Sequence, residues 1–71
     1  MTYNYELLVE QIVRTAVEDY QEALRKKNNG RISALTRWFR SEWGQMLTYH
    51  NSEYILAKAK KEVIENEKAN S

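Results

Sequence analysis

The sequence predicts an all-α fold: a three-helix arrangement with an antiparallel hairpin of helices 1 and 2 and a shorter third helix. Three observations lead there. Apolar residues recur at three-and-four spacing along most of the 71 residues. There is no proline, and Gly30 and Gly44 are the only glycines, so the punctuation of a sheet protein is missing. Asn-Asn-Gly at Asn28–Gly30 and Thr-Tyr-His-Asn-Ser at Thr48–Ser52 interrupt the periodicity and divide it into three segments.

Helix 1 is expected over about residues 4–28. Tyr5, Leu8, Val9, Ile12, Val13, Ala16, Tyr20, Ala23 and Leu24 share one face, and Val13, Val17 and Leu24 widen it enough to meet two neighbours. Thr2 or Asn4 supplies the cap, with Glu6 in the first turn where a negative charge suits the helix dipole. Arg25, Lys26 and Lys27 close the last turn, and Gly30 suits a left-handed cap.

Helix 2 is expected over 32–48 as one continuous helix, capped by Ser33 or, a turn earlier, by Asn28 or Asn29. Its core face reads Ile32, Leu35, Phe39, Trp43, Met46 and Leu47. Helix 3, over 52–65 from a start at Asn51 or Ser52, sets Ile55, Leu56, Ala59 and Val63 on a shorter arc, and the polar residues 66–71 form a frayed tail. All of this makes a single domain. At this length a chain buries only about 60% of its unfolded surface, so a second copy or a larger partner is the expected source of added stability.

The segment RWFRSEW at Arg37–Trp43 holds both tryptophans and the only phenylalanine. Helical phase assigns Phe39 and Trp43 to the core, so Trp43→Ala is expected to cost about 3–5 kcal/mol. Trp38 falls at the border of that face, in line with Arg31, Glu42 and Tyr49. Two readings of it stand: a lid over the core edge, or an anchor at a dimer or partner interface, where Trp, Tyr and Arg dominate.

Charge is segregated behind a net +1. Residues 1–24 carry five acids against Arg14, a balance of −4; residues 25–40 carry Arg25, Lys26, Lys27, Arg31, Arg37 and Arg40 with no acid, a balance of +6. Most of these cations gather at the loop end of the hairpin. A solvated, dipole-complementing tip accounts for part of the patch, but Arg31 at a helix start is not explained that way. Asp19, near the apolar edge of helix 1, is placed to pair with a helix 2 arginine, and Glu22 with Lys26. The functional readings are a protein partner with an acidic surface or, as an alternative, nucleic-acid phosphate. Nucleic acid ranks lower because the pI is near 8.0 and helix 2 is occupied by core aromatics.

Catalytic chemistry is not expected. Without cysteine there is no thiolate site, and His50 with Glu53 three residues on makes no metal signature by itself. No phosphate loop, nucleophile elbow or Cys/His pair occurs. No metal, cofactor or small-molecule substrate is expected. No apolar run reaches membrane-spanning length and the N-terminus lacks the pattern of a signal peptide, so a cytoplasmic location is expected.

EDYQEAL at Glu18–Leu24, FRSEW at Phe39–Trp43 and SEYIL at Ser52–Leu56 together resemble a group of small proteins from phages, prophages and integrative elements of Gram-positive bacteria. The resemblance spans Tyr5 to Lys61. It implies a mobile-element setting in a bacterial host, and brings no catalytic residue with it. In that setting a non-enzymatic helical protein is expected to bind a host or phage protein stoichiometrically, as anti-CRISPR-like inhibitors do.

Overall fold

A computed structural model of the protein describes residues 5–69, with side chains from 7 to 68. Four helices and no strands are found among them: α1 (Tyr5–Lys26), α2 (Asn29–Arg40), α3 (Glu42–Leu47) and α4 (Ser52–Ala69). The all-α class is as expected, but the single helix expected over 32–48 is two helices broken at Ser41. The expected cap at Thr2 or Asn4, the side chains of Tyr5 and Glu6, and residues 70–71 lie outside the described residues.

α1 ends in a Schellman closure: Asn28 N–H donates to the Ala23 carbonyl (3.0 Å) and Lys27 N–H to that of Leu24 (3.2 Å). The left-handed residue in this turn is Lys27, at φ 56°, and not Gly30. Gly30 already lies inside α2, because Asn28 begins that helix one turn earlier than Ser33 would. The Asn28 side chain accepts the Arg31 N–H at 3.2 Å, satisfying one of the free first-turn donors.

Across the two-residue turn α1 and α2 pack as neighbours. Arg31 in the first turn of α2 reaches Asp19 (3.7 Å), and Phe39 near the end of α2 meets the adjacent Tyr20 edge to face at 6.3 Å. α4 starts at the far end of α2, where Arg40 bonds Glu53, and then runs beside α1 in the same direction. There Gln21 donates to the Ala59 carbonyl (3.3 Å) and to the Glu62 carboxylate (3.0 Å). α1 thus has the two neighbours its wide apolar arc requires.

Tyr20, Phe39, Leu56 and Ala59 form the buried cluster, with Ala16, Val17, Leu24, Ile32, Leu35, Trp38 and Ile55 packed around it. Ala23 and Val63 are buried as well. α4 does not fray after residue 65, as its polarity suggested. Apart from Asn66 its residues after Ile64 are Glu, Lys and Ala, which favour helix intrinsically, and Lys61 approaches Glu65 at 3.9 Å across one turn.

Candidate interaction surface

Ser41 ends α2 and begins α3 with one hydroxyl. Its backbone is extended (φ −70°, ψ 169°), and its N–H (3.2 Å) and Oγ–H (2.6 Å) both reach the Trp38 carbonyl. The same Oγ accepts the Gly44 N–H at 3.2 Å, capping α3. α3 then crosses the carbonyl end of α2 at close range. A Cβ on Gly44 would collide with the carbonyl oxygens of both Trp38 and Phe39, so only glycine fits.

The other end of α3 is fastened as firmly. Buried Thr48 donates its hydroxyl to the Gly44 carbonyl (2.7 Å), and fully buried Ser52 donates to Gln45 Oε1 (2.8 Å). A second Schellman closure follows, with His50 N–H on the Gln45 carbonyl (2.7 Å) and Tyr49 N–H on that of Met46 (3.3 Å). Tyr49 (φ 53°) and His50 (φ 64°) are both left-handed, a conformation unusual for residues with a Cβ.

The break at Ser41 resets the helical phase and reverses the expected roles of the two tryptophans. Trp43 is not in the core: it is 65% exposed, and Met46, expected on the same core face, is 60% exposed. Gly44 takes the buried position on α3. Trp38 instead packs on the core, its ring perpendicular to Phe39 at 5.1 Å. The lid reading is therefore the one that describes Trp38.

Nor does the expected Trp38–Tyr49 stripe form, because the two residues no longer share a helix. Tyr49 is 74% exposed and borders a shallow groove floored by Val9, Val13, Leu47 and Ile55. Val9 and Val13 of the first half of α1 line this groove together with Leu47 of α3, so these two segments lie at the same end of the bundle. Seven of the eight large apolar side chains exposed among the described residues are at this end: Leu7, Leu8, Ile12, Trp43, Met46, Tyr49 and, at the start of α4, Tyr54. We call it the apolar pole.

The basic segment is divided along the length of α2. Arg25, Lys26, Lys27 and Arg31 surround the α1–α2 turn, where Lys26 pairs with Glu22 (2.8 Å) and Arg31 with Asp19. The Lys26 hydrogen bond, with its charge, holds the Glu22 carboxyl below its usual range. Arg37 and Arg40 stand near the pole end instead. Arg40 grips Glu53 through Nε (2.7 Å) and Nη2 (3.2 Å), which raises the guanidinium pKa and lowers that of the carboxyl. Of the six cations, Arg25, Lys27 and Arg37 have no ion pair among the described residues.

His50 is exposed beside Arg40, Glu42, Gln45 and Met46. No group of three His, Cys, Asp or Glu residues is placed to hold a metal ion among the described residues, and no helix there is long and apolar enough to cross a membrane. Sequence reasoning missed Trp43 and Met46 as surface residues. The available signal was Ser41–Glu42, a capping residue followed by a first-turn acid, with a lone glycine two positions on. No protein-family model, no curated protein and no solved structure matches the chain.

Proposed function

We propose that this protein is a non-enzymatic protein-interaction module whose contact surface is the apolar pole centred on Trp43. One observation carries the reading: Trp43 and Met46 are open to solvent on a helix held at both ends by hydrogen bonds and a glycine contact. Local order of this kind lowers the entropic cost of binding, and exposed Trp, Tyr and Met beside arginine are the usual composition of an interface centre. Together with the FRSEW resemblance, this favours an accessory protein of a phage or mobile element, working by stoichiometric binding in the cytoplasm of a bacterial host. Inhibition of a defence protein belongs to that class of action.

The basic tip serves as a second contact for a partner with an acidic surface. Unpaired Arg25 and Lys27 there also leave open a nucleic-acid contact as the competing reading. Glu22 and Asp19 dilute it, since two of the four tip cations already face carboxylates.

Capture experiments with immobilised protein test the assignment. Wild type should retain a defined host or phage protein that Trp43→Ala loses at unchanged fold, whereas Arg25→Ala/Lys27→Ala should weaken capture at low salt and differ from wild type less and less as salt rises. Loss with the tip variant alone, together with DNA or RNA binding at low salt, would transfer the function to the tip.

A further inference from the structure

We propose that the occupant of the apolar pole is a second copy of this chain, joined pole to pole about a two-fold axis with both basic tips directed outward. The inference rests on the reading of the pole as an interaction surface and names its partner.

Area is the first argument. With 65% of Trp43 and 74% of Tyr49 exposed, these two rings alone leave roughly 300 Å² open, taking 150–250 Å² as what an aromatic side chain can bury. Leu7, Leu8 and Ile12, each between 36% and 49% exposed, and Met46 at 60% add to it. The total approaches the ~800 Å² that each partner of a standard interface covers.

Charge is the second argument, and it selects the partner. An isologous contact places each surface against itself, so any net charge on that surface opposes the contact. Among the described side chains at the pole, Glu10 pairs with Arg14 (3.6 Å) and Glu53 with Arg40, and Glu42 and Arg37 are of opposite sign. These described charges balance, so none of them opposes a second pole and none attracts a strongly charged partner. The tip is different: around the α1–α2 turn Arg25, Lys26, Lys27 and Arg31 stand against Asp19 and Glu22, and the last turns of α4, which run beside α1 to this end, add Lys61 and Lys68 against Glu62, Glu65 and Glu67. Only Ile64 of the large apolar side chains exposed among the described residues lies toward the tip, so a tip brings little apolar area to a second tip or to a pole. Among contacts between identical chains, only pole to pole joins apolar area with charge balance. The resulting dimer presents two basic tips at opposite ends, a bivalent arrangement toward an acidic partner.

The experiment is analytical ultracentrifugation of the full chain, from micromolar to about 1 mM protein. Wild type should move from 8.5 kDa toward twice that mass, and the shift should persist in high salt. Trp43→Ser/Met46→Ser and, independently, Leu8→Ser/Ile12→Ser should each weaken the dimer at least tenfold with helical content unchanged by circular dichroism. Arg25→Ala/Lys27→Ala should dimerise as tightly as wild type, or more so. Three results overturn the proposal: a mass of 8.5 kDa throughout, a dimer indifferent to both pole variants, or a dimer dissolved by salt. A monomer would eliminate the second copy alone, because the Trp43 capture experiment decides independently whether the pole is an interaction surface.

Discussion

Gly44 lies against the carbonyl oxygen of Trp38 so closely that no side chain fits between them. The contact is between backbones, and a neighbouring rotamer cannot relieve it. Helix propensity alone says that Gly44→Ala should stabilise α3 by about 1 kcal/mol. The packing says the reverse. We expect a net loss of about 1–3 kcal/mol, as for other overpacked sites, measured by denaturant unfolding. An unchanged or raised midpoint would mean that α3 can lift from α2 without cost.

The tryptophans give an opposed pair of results. Trp38→Ala removes a half-buried ring from the side of Phe39 and should cost about 2–3 kcal/mol, below the 3–5 kcal/mol of a fully buried aromatic. Trp43→Ala should stay within about 0.5 kcal/mol of wild type, as exposed substitutions usually do. Fluorescence distinguishes them directly. Acrylamide should quench the Trp43 of a Trp38→Phe chain strongly, and the Trp38 of a Trp43→Phe chain weakly.

That reversal marks the limit of what could be read from sequence. Periodicity located Tyr20, Ala23, Phe39, Leu56, Ala59 and Val63 correctly, because each lies within an unbroken stretch of helix where 3.6 residues per turn determines the face. Trp43 and Met46 continue the same period past Ser41 and so read as core. The break there comes from one serine hydroxyl serving two helices and from a glycine that allows backbones to cross, and neither leaves a mark on apolar spacing. The Asp19–Arg31 pair was legible because charge and helical phase both pointed to it. The dispersal of the six cations was not: Arg37 and Arg40 lie about 12 and about 16 Å along α2 from its start, and Arg40 meets a residue of α4.

Acid should loosen the α2–α4 contact. Hydrogen bonds from Arg40 hold the Glu53 carboxyl below its ordinary 4.5, assisted by the guanidinium charge and by Lys60. A carboxyl whose folded pKa is depressed contributes stability that is fully present above its unfolded pKa and is lost as pH falls through the folded value. The loss should therefore begin near pH 4.5 and continue below it. Glu53→Gln should melt below wild type at neutral pH, and the two should converge in strong acid. The neutral-pH difference should be small, since both side chains are solvent-exposed, and it should shrink with salt. Glu22, lowered by Lys26, should leave residual acid sensitivity in the variant. A gap that persists below pH 3 would show that Glu53 acts by something other than its charge.

The α1–α2 turn has its glycine in the wrong place for stability, and two single changes should show it. Lys27 occupies the left-handed position of the Schellman closure at φ 56°, where a Cβ is strained and glycine is not. Its side chain has no ion pair among the described residues, so Lys27→Gly gives up no such contact. Gly30, three residues on, has helical backbone in the first turn of α2, with the nearest obstacle to a Cβ being Asn28 Oδ1 at 3.8 Å, an ordinary contact. Gly30→Ala should therefore stabilise by up to about 1 kcal/mol, by reducing the freedom of the unfolded chain. Lys27→Gly should also stabilise, by about 0.5–1 kcal/mol, relief of strain outweighing the added unfolded entropy. The double variant should show both gains nearly in full if the closure of α1 and the capping of α2 are independent, and less if they are coupled through Asn28, which takes part in both. Thermal unfolding of the two single variants and the double decides it. A loss on Gly30→Ala would return the left-handed role to Gly30 and place the turn one residue later than the Asn28 cap requires.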